Sequence, residues 1–372
     1  MTTQQPQQQQ APRSHTPTGP ASAIDDAQPS SLHSPRWALR SGQPNIWARL
    51  RHKHSEAMAE FLGTAVILLF GTSTECQVNL HFDLLGHPGS AGDFNSQRFA
   101  WAAGVALGVW IAGNASGAHL NPSVTIAMWF YRGFPLRKVP TYILSQVLGA
   151  AFGAALTYSN YFRSIDVREG GKGRTVSGPR SSAGLFVTFP QSWLPWYAAA
   201  WSEVLATAAL VCVIFALSDS KNLSVPKGVM RELCRAGVSY MMIINVLTTS
   251  PPEFFSAAIA MFITLIGIGA SMGLNTGYAI NFGRDFGPRL FLSLIGYPSS
   301  IFTHNSGWAF WGPGLSSMLG GILGGGMYDL FVYTGEDSPV NRVEGGRKAG
   351  QASWDQRQRA LLADDEEPEA EV

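Results

Sequence analysis

Long apolar stretches divide the chain into segments that could each cross a lipid bilayer. Asp, Glu, Lys and Arg are all absent from residues 99–120, 139–162, 254–283 and 307–328. A membrane-spanning helix needs roughly 20 mainly apolar residues. With two further apolar runs that begin near residues 57 and 195, the pattern predicts six spans, at about 57–78, 98–115, 138–160, 195–218, 255–273 and 307–331.

The two halves of the chain repeat one sequence pattern. Glu60 and Glu203 each stand at the start of an apolar segment, two residues before a Leu and four before a Thr. Asn121 and Asn281 follow in their respective halves, each at a point within an apolar region where a short half helix could begin. Because each half contains three spans, the second half is inverted relative to the first, and the half helices would meet near the midplane. We therefore predict an all-α membrane protein with six transmembrane helices and two re-entrant half helices in an inverted repeat.

The positions of Lys and Arg indicate the orientation. Three basic clusters lie on one side of the predicted topology: Arg49, Arg51 and Lys53; Arg132, Arg137 and Lys138; and Lys221, Lys227, Arg231 and Arg235. Short basic loops favour the cytoplasmic side, so both termini are predicted to be cytoplasmic. The longer loop after the third span is also basic and would lie outside, against the rule.

Asn121 and Asn281 have the chemistry expected of a solute pathway. An Asn side-chain oxygen can cap a helix N-terminus while the amide nitrogen remains a hydrogen-bond donor. The N-termini of the half helices add positive partial charge at the same depth, which opposes the passage of cations and protons. A single Asn of this kind would be interpreted as a helix cap. The matched pair in related halves favours a pore.

These motifs resemble those of the major intrinsic protein family, the aquaporins and aquaglyceroporins, and are most similar to fungal aquaglyceroporins. The resemblance covers about 56–333 and rests on Ala-Glu-Phe-Leu-Gly-Thr around Glu60, Ser-Gly-Ala-His-Leu-Asn-Pro-Ser around Asn121, and Thr-Gly-Tyr-Ala-Ile-Asn around Asn281. It implies a right-handed helix bundle assembled as a homotetramer, with a pore in each subunit.

The pore motifs of this family read Asn-Pro-Ala, and the chain departs from them. They appear here as Asn121-Pro122-Ser123 and Asn281-Phe282-Gly283. The first departure is mild, whereas the second loses both Pro and Ala. We expect Phe282 to need room against Pro122, which Gly283 would supply.

The resemblance also implies a selectivity filter formed by Trp101, Gly269, Tyr278 and Arg284. A charge such as Arg284 within a membrane segment usually faces a water-filled cavity. A small Gly with two large aromatic residues opposite one cation suits glycerol, whose carbon edge can slide along the rings while its hydroxyls bond to the cation. A water-selective member would typically carry His at position 269.

Four polar residues are implied as supports of the pore loops: Glu60, Glu203, His119 and Asp285. The two glutamates would accept hydrogen bonds from loop N–H groups, since a buried charge without partners is very costly. Asp285 matches the glycerol-conducting branch of the family and would brace its loop without touching solute. Proton relay by the glutamates and pH sensing by His119 are the alternatives.

The domain boundaries follow from composition. We expect disordered cytoplasmic tails at 1–55 and 336–372, because such polar segments bury too little apolar surface to offset the entropy of ordering. The channel domain between them, 56–335, would contain one repeat at about 56–160 and another at about 195–333. An extra stretch at about 236–255 is too short to span, and is predicted to be interfacial or bundle-capping, or else a retained intron.

The sequence thus predicts a passive channel for glycerol and other small neutral solutes, with some water passage, in a multi-pass protein of the plasma membrane. No catalytic pair, cofactor fingerprint, metal-ligand spacing or nucleic-acid motif is present, so we expect no enzyme activity, cofactor, metal or nucleic-acid partner. Three alternatives remain: a mainly water-selective aquaporin; a non-conducting or gated scaffold or sensor, blocked by Phe282 or the 236–255 stretch; and an ion- or proton-coupled transporter with an acid in the lumen.

Overall fold

The computed structural model describes residues 45–86, 90–219, 222, 252–336 and 338–341. The predicted tails and the extra stretch at 236–255 lie mostly outside the described residues. The division into tails, repeats and an extra stretch therefore stays a prediction. The chain separates into two compact units after Arg49, and the helix bundle belongs to the second unit, from Leu50 onward.

In the described part of the chain every regular element is helical. The α-helices are α1 (Ile46–Lys53), α2 (Ser55–Leu85), α3 (Phe94–Ser116), α4 (Pro122–Arg132), α5 (Val139–Glu169), α6 (Trp196–Ser218), α7 (Pro252–Thr276), α8 (Phe282–Leu294), α9 (Ser300–Phe310) and α10 (Ser317–Phe331). A π-helical stretch, Trp311–Ser316, joins α9 to α10, and short 3-10 turns occupy Leu136–Lys138 and Ala183–Leu185.

Five of the described helices, α2, α3, α5, α6 and α7, are long and apolar enough to cross a membrane. The sixth predicted span, 307–331, is divided among the end of α9, the π-helical stretch and α10. The backbone of residues 304–307 is not helical, so the helical path resumes at Trp308, next to the predicted start. The short helices α4 and α8 lie where the two half helices were predicted. The prediction of an all-α membrane fold is confirmed.

Glycines bring the helices of each half together at equivalent positions. A Cβ added at Gly149 would lie 2.2 Å from the carbonyl oxygen of Phe61, and one added at Gly320 would lie 2.4 Å from that of Val204. Phe61 and Val204 each follow the glutamate that marks their repeat. Only a residue without a side chain allows backbones this close. The two repeats therefore share the same close helix contact at a glycine, between α2 and α5 in the first half and between α6 and α10 in the second.

The half helices begin with side-chain caps and end at glycines or turns. Asn121 caps α4 and Pro122 occupies its first turn, where a missing N–H costs nothing. Gly133 ends α4 in the left-handed conformation, with φ of 70°. The other half helix, α8, starts after the cap Asn281. At the N-terminus of α3, Asp93 caps the helix by accepting the Ser96 N–H, which lowers the pKa of its carboxyl group.

Candidate functional site

Two loops with the same unusual backbone lead into the half helices. Before α4, Ala118 and Leu120 have φ of 52° and 51°. Before α8, Tyr278 and Ile280 have φ of 40° and 44°. A left-handed conformation costs a non-glycine residue about 1–3 kcal/mol and persists only where the surroundings hold it. Residues 117–120 and 278–280 of the two loops line the larger cavity described below.

The repeat glutamates hold these loops. The carboxylate of Glu60 accepts hydrogen bonds from the backbone N–H groups of His119 at 2.9 Å and Leu120 at 2.7 Å. Glu203 accepts from those of Ala279 at 3.0 Å and Ile280 at 2.7 Å. Both carboxylates are fully buried, and these bonds compensate the loss of hydration.

Each glutamate also accepts from a hydroxyl group, which completes the same arrangement in both halves. Ser116 donates to Glu60 and Thr276 donates to Glu203, each at 2.6 Å. Gln146 adds a further donor to Glu60 at 2.7 Å. Neither Glu60 nor Glu203, the two acids on which the coupled-transporter alternative depended, lines the two cavities described below, although Glu75 and Asp219 do.

The two asparagines bond to each other's loops. Asn121 Nδ2 donates to the carbonyl of Ile280, and Asn281 Nδ2 donates to that of Leu120, both at 2.8 Å. Their Oδ1 atoms accept the N–H groups of Ser123 at 2.9 Å and Arg284 at 3.1 Å. An amide nitrogen carries two hydrogens, so each of these bonds uses one of the two N–H groups of its asparagine. From the sequence we predicted that these amide groups face the pathway, but we did not predict the reciprocal bonds between the two halves.

Two cavities meet at Trp101 and Arg284. The larger, about 410 Å³, has a mainly apolar lining that includes both asparagines and continues to Leu217. The smaller, about 250 Å³, is polar. Trp101 and Arg284 line both cavities, and the Arg284 guanidinium carbon lies 4.3 Å from the Trp101 ring centroid. This stacked pair stands at the junction of the two spaces.

The other two residues of the predicted filter lie beside this junction. Tyr278 is buried, lines the larger cavity, and its hydroxyl has no hydrogen-bond partner among the described residues. A Cβ added at Gly269 would lie 2.8 Å from Arg98 Cδ and 3.0 Å from Tyr278 Cζ. Gly269 itself lines neither cavity. The space that this glycine leaves is therefore filled by Arg98 and Tyr278.

Asp285 lies behind the junction. Its Oδ1 accepts the backbone N–H of Thr188 at 2.7 Å, and its Oδ2 accepts Arg289 Nε at 2.7 Å. Asp285 and Arg289 are both fully buried and line neither cavity. Arg289 donates further to the carbonyls of Thr188 and Ile301. Sequence reasoning missed Arg289, although an acid and an Arg four residues apart on one helix is a recognisable signal.

Phe282 and Gly283 occupy different surroundings from those expected. The Phe282 ring stacks on Phe286 with centroids 4.8 Å apart, and Gly314 of the π-helical stretch lies against it. Gly283 instead faces Gln146, whose Cβ would be 3.3 Å from an added Cβ. The Phe282 ring thus packs against Phe286 and the π-helical stretch. Phe282 is not among the residues that line either cavity.

His119 and Ser123 complete the predicted set. His119 Nδ1 lies 3.3 Å from Thr125 Oγ1, and its ring packs against Phe134 and Tyr142 with centroids 4.7 and 5.0 Å away. The hydroxyl of Ser123 is buried and has no partner among the described residues.

Two charged residues near the junction also escaped the sequence analysis. Glu75 and Arg98 form an ion pair at 3.2 Å and both line the smaller cavity. The signal was available, because a charge within a predicted membrane span marks a functional position by default.

Comparison with known proteins agrees with this architecture. The family model described as "Major intrinsic protein" matches residues 48–251. An aquaporin of Laccaria bicolor is 42% identical over 293 residues, which cover 79% of this chain and 97% of the relative. The protein named "Probable aquaglyceroporin-2" of Gibberella zeae is 40% identical over 79% of this chain and 77% of its own length.

A solved structure shows the same fold. The X-ray structure of the aquaglyceroporin from Plasmodium falciparum superposes with a TM-score of 0.58 at 26% sequence identity, covering 74% of this chain and 96% of that one. The prediction of an aquaporin-like fold is confirmed, as are the predicted family and the absence of enzyme activity. This chain is an integral, multi-pass membrane protein that belongs to the major intrinsic protein family, whose members are channels for water and small solutes.

Proposed function

We propose that this channel conducts glycerol and other small neutral solutes, with some passage of water. The observation that carries the proposal is the junction of the two cavities, where one cation, Arg284, stacks on the face of Trp101 beside the buried ring of Tyr278. The rings offer apolar surface to the carbon edge of a polyol. The guanidinium offers hydrogen-bond donors to its hydroxyls.

The larger cavity supports passage of the same solute beyond the junction. Its lining combines apolar side chains with the loop residues 117–120 and 278–280, whose backbone groups can bond to hydroxyls. Asn121 and Asn281 then provide one N–H each, at the depth where two helix N-termini concentrate positive partial charge. Arg284 and these helix ends oppose cations, so the proposed solutes are neutral.

The assembly and location belong to the same proposal. We infer a homotetramer in the plasma membrane with both termini in the cytoplasm, from the family resemblance and the positions of Lys and Arg. The names of two relatives support a glycerol pathway, since the Plasmodium falciparum structure and the Gibberella zeae protein are both titled aquaglyceroporins.

A second candidate is a mainly water-selective channel. The observation in its favour is that Arg98 Cδ and the Tyr278 ring occupy the space beside Gly269, so that space is not open to a solute. The Laccaria bicolor relative is named an aquaporin, which fits either candidate.

Stopped-flow permeability of the purified protein in liposomes separates the two candidates. We expect glycerol and water fluxes above those of empty liposomes. Gly269→His should slow glycerol more than water, because the imidazole must displace the Arg98 and Tyr278 side chains that fill this space, and a narrower junction obstructs glycerol, the larger solute, more. Each 1.4 kcal/mol that the displacement adds to the barrier for passage slows it about tenfold.

The matched control is Gly267→Ala on the same helix, where an added Cβ would meet nothing within 4 Å. It should leave both fluxes unchanged. Water flux without glycerol flux would favour the second candidate. If neither solute passes, both candidate functions are contradicted and the non-conducting alternative is favoured.

A further inference from the structure

Glu75 lies in the middle of a hydrogen-bonded group next to the proposed filter. Its Oε1 accepts Trp101 Nε1 at 3.0 Å and Arg98 Nη2 at 3.2 Å. Its Oε2 accepts Gln97 Nε2 at 2.8 Å. The side chain of Glu75 is 17% exposed and borders the smaller cavity. The carboxylate is therefore reached by three donors from α3 and stays close to the solute pathway.

The fold alone does not require an acid at this position. The repeat that equates Glu60 with Glu203 also equates Glu75 with Ser218, a neutral residue whose hydroxyl donates to the carbonyl of Ile214 in its own helix. A carboxylate within a membrane helix is costly. Its partners offset that cost here, but a packing role would have been served by an apolar residue.

The contacts of Glu75 reach the walls of the filter. It holds the indole N–H of Trp101, whose ring faces Arg284. It also holds Arg98, whose guanidinium carbon lies 4.8 Å from the centroid of the Tyr278 ring. Arg98 Cδ fills the space beside Gly269. One carboxylate thus contacts Trp101 directly and braces Tyr278 and Gly269 through Arg98.

The bond to Trp101 also decides what this side chain presents to a solute. An indole has one N–H and no other polar group. With that donor bonded to Glu75, Trp101 offers the pathway only carbon surface. The guanidinium of Arg284, over the face of Trp101, then supplies hydrogen-bond donors beside this apolar ring, which is the arrangement that suits a molecule with one apolar and one polar edge.

We propose that Glu75 is a positioning residue for solute selection. It acts through Trp101 and Arg98, fixes the width of the junction, and withholds the indole N–H from the solute. This inference rests on the proposed function, because it assigns the same filter one more determinant.

The test compares Glu75→Ala with Glu75→Gln in liposomes, with glycerol and water measured side by side. Glu75→Ala should lower the glycerol-to-water permeability ratio by about tenfold, the scale expected when a charge-assisted hydrogen bond no longer holds a ring in place. Glu75→Gln keeps an oxygen that can accept from Trp101, and should restore most of the ratio. Gln77→Ala is the control, a polar residue of α2 bonded away from the filter, to Tyr161.

A double-mutant cycle tests whether Glu75 acts through Trp101. Trp101→Phe removes the indole N–H, so adding Glu75→Ala to it should change the ratio less than Glu75→Ala does alone. Fully additive changes would contradict action through this bond. If Glu75→Ala does not fold, Trp101→Phe and Glu75→Gln test the same bond, and a ratio unchanged by Trp101→Phe would overturn the proposal.

Experimental structures of the wild type and Glu75→Ala give a readout that does not depend on glycerol transport. We expect the indole of Trp101 to leave its position over Arg284 in the variant. An unmoved indole together with an unchanged permeability ratio would overturn the proposal. A wild type that passes no glycerol would instead contradict the proposed function, and the position of the indole would still decide the role of Glu75.

Discussion

At the scale of single residues, Asn121 and Asn281 each do two things with one amide group. The oxygen caps the asparagine's own half helix, and one N–H bonds to the loop of the opposite half. In the proposed function, the remaining N–H of each amide donates to the solute. An aspartate could cap equally well but has no N–H to offer, which is why an amide suits this position.

We predict that Asn121→Ala and Asn281→Ala lower the free energy of unfolding by similar amounts. Each variant loses a cap worth about 0.5–2 kcal/mol and a hydrogen bond worth about 0.5–1.5 kcal/mol. Thermal or denaturant unfolding in detergent measures the change. Asn95→Ala, at an exposed position on α3, is the control. Variants as stable as this control would show that the reciprocal bonds contribute nothing.

At the scale of helices, contact between backbones, rather than side-chain packing, sets the distance between paired helices in each half. A Cβ added at Gly324 of α10 would lie 2.1 Å from the carbonyl oxygen of Ala208 on α6. The equivalent contact in the first half, between Gly153 of α5 and Ala65 of α2, would be 2.3 Å. Neither backbone can yield without separating the helices along their length.

Gly324→Ala should therefore reduce the yield of folded protein and lower Tm, although Ala is the better helix former. Overpacking of this kind typically costs about 1–3 kcal/mol. Gly267→Ala makes the same chemical change in α7 where nothing lies within 4 Å, and should keep or raise Tm, since Ala favours helix over Gly by about 1 kcal/mol. Size-exclusion profiles and thermal melts measure both. Equal behaviour of the two variants would refute the close-contact argument.

At the scale of the whole molecule, a buried ion pair ties the two halves together away from the filter. Arg132, at the end of α4, donates to Asp329 of α10 at 2.9 and 2.5 Å. The guanidinium lies between the rings of Phe215 and Tyr333, 4.2 and 4.0 Å from their centroids. Ser338, beyond α10, donates to the same carboxylate. The first half helix, the last helix and the segment after it thus share one charged centre.

Removing one member of this pair should be costly. We predict that Arg132→Ala lowers the free energy of unfolding by about 3–5 kcal/mol, because it leaves Asp329 buried without its cation. Combining Arg132→Ala with Asp329→Ala should recover part of that loss, since no lone charge then remains.

Arg163→Ala is the matched control for this prediction. Arg163 pairs with Asp166 at 3.4 Å, but its side chain is 76% exposed, so its removal should cost no more than about 1 kcal/mol. Denaturant unfolding in detergent measures all three variants. An Arg132→Ala variant no less stable than Arg163→Ala would show that the buried pair does not hold the halves together.

The sequence by itself determined those features of this protein that depend on residues close together in the chain. Apolar length predicted the spans, the repeated glutamates predicted two related halves, and an Asn before each half helix predicted its start. These signals are readable because a helix must satisfy its backbone within its own segment in a membrane. The family motifs identified the remaining residues of the proposed filter, again from local sequence.

Only the tertiary structure decided which distant residues meet. The reciprocal bonds of Asn121 and Asn281 join residues about 160 positions apart. Gly314 lies against Phe282, and Arg98 fills the space beside Gly269, although neither neighbour has a sequence signal for that contact. The sequence shows Glu75 only as a charged residue within a predicted span, and its role becomes visible in the hydrogen bond that it accepts from Trp101. Such contacts depend on how packed helices are set against each other, and no local pattern encodes that arrangement.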